Sequence, residues 1–125
     1  MPKPAILICD DEEGIRESFR LILSRAYDLT FAESGAEALR LLKSLSFNLL
    51  ILDIKMPRQN GFEILRETKL ANPELPVIIV TGYQSLEMAQ EAHRQGAADY
   101  LPKPFKPEDI QKSVRLHLRP PTPNV

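Results

Sequence analysis

The sequence predicts an α/β fold in which a parallel sheet carries helices on both faces. Three observations predict it. Five short aliphatic or β-branched runs follow one another, AILIC (5–9), YDLTFA (27–32), LLIL (49–52), VIIV (77–80) and DYL (99–101). Segments with helical spacing lie between them, the alternation expected of βαβ units. Three of the runs are almost wholly apolar, as befits strands covered on both faces.

The elements can be justified in order. AILIC runs into Asp10 and Asp11; after Gly14, the residues Ile15, Phe19, Ile22, Leu23 and Ala26 recur on one helical face. Ala38, Leu41, Leu42 and Leu45 repeat that pattern after Gly35, downstream of the second run. The third run ends on Asp53 and meets Pro57 four residues later; the fourth ends in Thr81-Gly82. In the next helix Met88 lies well away from the stripe of Leu86, Ala89 and His93, which predicts that it is exposed. The fifth run precedes Lys103-Pro104, and Ile110, Val114 and Leu118 mark a last helix. Pro107 suits the first turn of that helix, while Glu108 and Asp109 favour its positive pole. The closing RPPTPNV cannot continue a helix, so residues 1–119 are expected to form one domain and 120–125 a tail or linker.

Composition sets the class. With 125 residues, 16 basic and 17 acidic, the chain has the size of one self-sufficient core and a net charge of -1. Direct contact with nucleic acid is not expected from such a balance. The lone cysteine, Cys9, lies in an apolar run and reads as a small buried thiol in a reducing compartment. The N-terminal apolar run is five residues, shorter than the ~7–15 of a secretory signal, and none approaches the ~18 of a membrane span. No membrane segment and a cytoplasmic location are therefore expected.

Right-handed crossovers bring the C-terminal ends of parallel strands to one edge of the sheet, where ligands of open α/β sheets bind. Asp10, Asp11, Asp53, Thr81 and Lys103 all fall at or just beyond such ends. If the first and third strands are neighbours, carboxylates about 4 Å apart repel by ~4 kcal/mol per pair at an effective dielectric of 20. Protonation of one member is one remedy; a hard divalent cation with oxygen ligands, Mg²⁺ above all, is the simpler. A single aspartate at a strand end is ordinarily a helix cap or turn residue. The coincidence of hydroxyl, ammonium and carboxylates at equivalent ends is what favours a site. Chemically the set suits a carboxylate nucleophile, Asp53, attacking phosphorus, with Asp10 and Asp11 holding Mg²⁺, Lys103 on a phosphoryl oxygen and Thr81 hydrogen-bonding the transferred group.

On Asp10-Asp11 (with Glu12), Asp53-x-x-Met56-Pro57 with Gly61 following, Thr81-Gly82 and Tyr100-Leu101-Pro102-Lys103-Pro104-Phe105, the chain resembles the CheY-like receiver domain of bacterial two-component response regulators. The resemblance runs from about Ala5 to Leu118. It implies a doubly wound, flavodoxin-like sheet of five parallel strands in the order 2-1-3-4-5. It implies a regulatory phosphoacceptor and not an enzyme in the usual sense. Asp53 would take phosphate from a sensor histidine kinase or phosphotransfer protein. Asp11, Asp53 and the Lys55 carbonyl would contact Mg²⁺, with Asp10 assisting partly through water, and Lys103 would precede a cis Pro104. Thr81 and Tyr100 would act as the switch, reshaping the face of helix 4, strand 5 and helix 5 toward an output domain or partner, and a homodimer formed on phosphorylation is allowed. The Lys55 side chain would either influence Mg²⁺ and phosphoryl lifetime or point into solvent. His93 and His117 lack metal-ligand spacing and are expected to face solvent or a helix flank. The stretch from Thr81 to Phe105 resembles receivers that precede ATPase-type transcription activators.

Other functions fit less well. Phosphatases with an aspartyl nucleophile on a related sheet place an acid two residues later, where this chain has Lys55. A flavin or nucleotide domain would want Gly, Ser or Thr after the first strand instead of acidic DDEEG. An interaction module that never receives phosphate would not need the full set of polar residues.

Overall fold

A computed structural model of the chain describes residues 2–56, 59–82 and 85–120. Its main sheet has five strands, here β1 (Ala5–Cys9), β2 (Asp28–Ala32), β3 (Leu49–Leu52), β4 (Val77–Thr81) and β5 (Asp99–Pro102). All neighbours pair in parallel and the order is β2-β1-β3-β4-β5, as the resemblance implies. Five helices alternate with them: α1 (Glu13–Leu23), α2 (Gly35–Ser44), α3 (Gly61–Ala71), α4 (Leu86–Arg94) and α5 (Pro107–His117). A short antiparallel ribbon, Lys55–Met56 with Gln59–Asn60, lies between β3 and α3.

The period of two along each strand divides the core. Leu7, Cys9, Leu50, Leu52, Val77 and Ile79 face a layer that includes Ala38, Ile64, Leu65 and Ala92 of α2, α3 and α4. Ile6, Ile8, Leu49, Ile51, Ile78 and Val80 face Phe19 and Leu23 of α1 and Ile110 and Val114 of α5. Both faces of the central strands are thus buried, which accounts for their unbroken apolar sequences.

Local signals fix where helices begin. Ser34 Oγ accepts from the Glu37 amide at the start of α2, Asn60 Oδ1 from Phe62 at α3, and Ser85 Oγ from Met88 at α4. Pro107 occupies the first turn of α5. Gly61 has a steric reason: a Cβ there would overlap the Ile54 backbone and come within 2.7 Å of its carbonyl oxygen, while the Gly61 amide donates to that oxygen at 3.0 Å.

Three expectations need correction. On α4 the inward residues are Met88, Ala89 and Ala92, whereas Leu86 is 74 % exposed; His93 faces solvent, as expected of it. Met88 packs against the same core layer as Tyr100. Spacing alone fits either face of a nine-residue helix, and the size of Leu86 points to the wrong one. Ala26 lies past the end of α1 and is exposed, and Leu45, past α2, is 52 % exposed. Pro57 of the resemblance, and 121–125 of the tail, lie outside the described residues. No helix among the described residues is long and apolar enough to cross a membrane.

Candidate phosphoacceptor and metal site

The sheet's ladder continues one residue beyond three of its strands. The Asp10 amide donates to Ala32 O at 3.0 Å, Asp53 to Cys9 O at 3.1 Å, and, one residue past β5, Lys103 to Thr81 O at 3.0 Å. Each backbone is therefore held as firmly as a strand residue, yet each side chain stands at the open edge.

The side chains converge. Lys103 Nζ lies 2.7 Å from Asp10 Oδ2, 2.8 Å from Asp53 Oδ2 and 3.6 Å from Glu12 Oε1. Asp10 Oδ1 accepts from the Glu12 amide and Asp53 Oδ1 from the Lys55 amide. Asp10 and Asp53 are 2 % and 3 % exposed. Burying two carboxylates is tolerable only with partners of this kind. Thr81, fully buried, lines the same ≈ 410 Å³ cleft as Glu12, Ile15, Asp53, Lys55, Gly82, Lys103 and Pro104. A water takes about 30 Å³ of liquid volume, so the cleft has room for a phosphoryl group and several waters. The Lys103–Pro104 peptide is cis.

Charge remains unbalanced. One carboxylate oxygen from each of Asp10, Asp11, Glu12 and Asp53 falls within a 4.8 Å cluster, against the single Lys103 ammonium described between them. Burial pushes the Asp10 carboxyl above its ordinary value despite the hydrogen bond from Lys103. For Lys103, burial pulls the ammonium down, but hydrogen bonds to Asp10 and Asp53 outweigh it and the net shift is upward. The neighbouring Cys9 thiol is pushed up to about 12 by burial and by the charges of Asp10 and Asp53, which keeps it protonated near neutral pH. Cys9 is buried, with Sγ 3.8 Å from Met56 Sδ.

Such a donor set, all oxygen and in excess of the available positive charge, fits a hard divalent cation such as Mg²⁺. The acidic cluster is compatible with that ion. Asp10, Asp11 and Asp53 thus stand together with Lys103, Thr81 and Lys55, and the cluster adds Glu12. In the sequence the only signal for Glu12 was its place beside the aspartate pair.

Tyr100 does not line the cleft. It is half-buried on β5 beside a smaller groove walled by Ala89, Ala92, His93 and Ala97 to Asp99. Burial and the Asp53 charge both raise its phenol, so the ring lies within electrostatic reach of the acidic site. His93 is exposed on α4, and His117 Nε2 lies 3.7 Å from Asp99 Oδ2 on the α5 flank.

Comparison with known proteins agrees with this geometry. Residues 6–115 match the family described as the response regulator receiver domain. The response regulator MprA of Mycolicibacterium vanbaalenii is 38 % identical over 120 residues, covering 95 % of this chain and 52 % of that protein, so the chain spans about half the length of such relatives. A CheY-like receiver domain protein from Methanospirillum hungatei superposes with a TM-score of 0.87 at 34 % identity, covering 91 % of this chain and 92 % of the other. NtrX of Brucella abortus gives 0.87 at 34 % identity, over 93 % of this chain and 27 % of that one. A parallel 2-1-3-4-5 sheet, an acidic cluster met by a lysine at its C-terminal edge, and a match over most of its length together mean that the chain belongs to the receiver domain family of two-component response regulators.

Proposed function

We propose that this domain accepts a phosphoryl group on Asp53 from the phosphohistidine of a sensor kinase or phosphotransfer protein and converts it into a change of surface. The observation that carries this reading is the position of Lys103, bridging Asp53 and Asp10 within a four-carboxylate cluster at the strand ends. Asp11, Asp53 and Asp10 would hold Mg²⁺ together with the Lys55 carbonyl, and Glu12 is near enough to contribute through water. When bound, the cation supplies the positive charge that lets an anionic carboxylate approach an anionic phosphoryl group.

The residues divide the remaining work. An Asp53 carboxylate oxygen attacks phosphorus; the new O–P bond forms as the N–P bond breaks, and the departing imidazole keeps the electron pair and takes a proton from solvent. The Lys55 amide and Lys103 ammonium, 3.0 and 2.8 Å from the two Asp53 oxygens, hold the carboxylate's orientation before transfer. Lys103 then pairs with a phosphoryl oxygen, and the Thr81 hydroxyl donates to another. Moving Thr81 toward the phosphoryl group frees space at the end of β4, and Tyr100 of β5 follows into the groove walled by Ala89 and Ala92. Phosphorylation thereby favours one packing of the α4, β5 and α5 face over another.

The domain is regulatory, and its only chemistry would be its own phosphorylation and dephosphorylation. Residues 1–119 would form the receiver, and 120–125 a proline-rich tail or the start of a linker. An output domain, a separate partner or a second phosphorylated copy would read the α4, β5 and α5 face. The absence of nucleic-acid contact is proposed for this receiver alone.

Intact mass after incubation with Mg²⁺ and a small phosphodonor tests the reading. One added phosphoryl group, absent in Asp53→Asn and in the presence of chelator, is expected; a chain that gains no mass would instead be an interaction module.

A further inference from the structure

We infer that Arg16 is a positioning residue for the acidic loop between β1 and α1, acting as a strut between that loop and the end of β2. The inference rests on the metal-binding reading above but names a residue outside it. Arg16 is on the first turn of α1, and its side chain is only 14 % exposed. Nη1 donates to the Asp10 carbonyl oxygen at 2.9 Å, and Nη2 reaches Glu33 Oε1, directly after β2, at 3.1 Å. The Arg16 amide also donates to Glu12 O at 3.1 Å. One residue therefore grips both sides of the acidic turn.

The polar atoms of Asp10 show why this matters. Its amide is held by Ala32, Oδ1 by the Glu12 amide and Oδ2 by Lys103; its carbonyl is held by Arg16. Three of those anchors belong to the strand ends or to the loop itself. The fourth comes from a helix, and it transmits the helix position to the ligand cluster. One turn further on, the Arg20 guanidinium lies 4.8 Å above the Phe31 ring, so α1 is seated on β2 at a second point and Arg16 works from a fixed base. A guanidinium suits this place because its planar fork can serve a carbonyl and a carboxylate at once, whereas an ammonium is a single point of charge.

Metal ligands oriented by such partners commonly lose about 10- to 100-fold in metal affinity when the partner is removed. Calorimetric Mg²⁺ titration of the wild type, Arg16→Ala, Arg16→Lys and Glu33→Gln, together with hydrogen exchange of the Glu12 amide in metal-free protein, tests the inference. Arg16→Ala should bind Mg²⁺ about tenfold more weakly and exchange the Glu12 amide faster; Arg16→Lys, whose single ammonium cannot span both partners, should recover only part of either, and Glu33→Gln should lose less than Arg16→Ala. A guanidinium acting merely as a competing positive charge would make Arg16→Ala bind Mg²⁺ more tightly, which would overturn the inference, as would unchanged binding. If the wild type itself binds no Mg²⁺, the metal reading fails, and Glu12 exchange still decides the strut: an unchanged rate in Arg16→Ala overturns it.

Discussion

The two edges of the sheet are built from the same strands and handle polarity in opposite ways. At the N-terminal edge, Asn48 Oδ1 accepts from the Ala5 amide, the Asn48 amide donates to Ala5 O, and the Arg119 amide donates to Asn48 O. Nearby, Lys69 Nζ donates to the carbonyls of Pro73 and Leu75. Polar groups there are matched chiefly by neutral backbone atoms, and they latch the chain together. At the C-terminal edge, four carboxylates crowd around the Lys103 ammonium, and Asp10 is held above its usual pKa by burial. The first edge serves stability. The second stores electrostatic repulsion that a cation or phosphoryl group can relieve.

Three substitutions can break that contrast, in descending order of effect. Lys103→Met leaves Asp10 and Asp53 buried without their shared cation and should cost about 3–5 kcal/mol in chelator. Millimolar Mg²⁺ should return part of that loss, since a ligand bound only by the folded state stabilises it. Urea melts with and without Mg²⁺ measure both. Asn48→Ala, at the opposite edge, strands the Ala5 amide and should cost about 1–2 kcal/mol. Here Mg²⁺ should recover nothing beyond what it adds to the wild type, and phosphoryl gain by intact mass should be unchanged.

Asp10→Asn should act in the reverse direction and more weakly, and its sign follows from linkage. The folded carboxyl titrates above the unfolded value of 3.8, so the folded state keeps its proton longer than the unfolded chain. Stability without metal therefore falls as pH rises through the interval above 3.8, and above the folded pKa the whole penalty is present. Asp10→Asn removes that fall. In chelator near pH 7 it should be at least as stable as the wild type, and in Mg²⁺ it should lose any advantage. Thermal melts across pH in chelator and in Mg²⁺ check this; a steeper fall with pH in the variant would contradict it.

How much of this was legible in the sequence differs between the same two regions. The strands were legible because burial on both faces demands unbroken aliphatic runs, and LLIL and VIIV have no other use. So was the polar C-terminal edge, because Asp53 and Thr81 follow such runs directly and Lys103 comes two residues after DYL. Helix faces were less so. The buried side of α3 is Gly61, Ile64, Leu65 and Thr68, and a glycine and a threonine dilute its stripe. On α4 the inward positions include two alanines, too small to outweigh Leu86 in a pattern of sizes. The strut through Arg16 left no trace, since its partners are a main-chain carbonyl and a glutamate 17 residues away. Nor did the N-terminal latch, where Asn48 matters for an amide 43 residues distant.

The central claim is that the excess negative charge at the C-terminal edge is a divalent-cation site organised around Asp53. Calorimetric titration of metal-free protein with Mg²⁺ tests it most directly, with Asp53→Asn and Asn48→Ala beside the wild type. The account predicts one site in the wild type, about tenfold or greater weakening in Asp53→Asn, and wild-type affinity in Asn48→Ala. Equal Mg²⁺ affinity in the wild type and Asp53→Asn, or no binding to either, would contradict it.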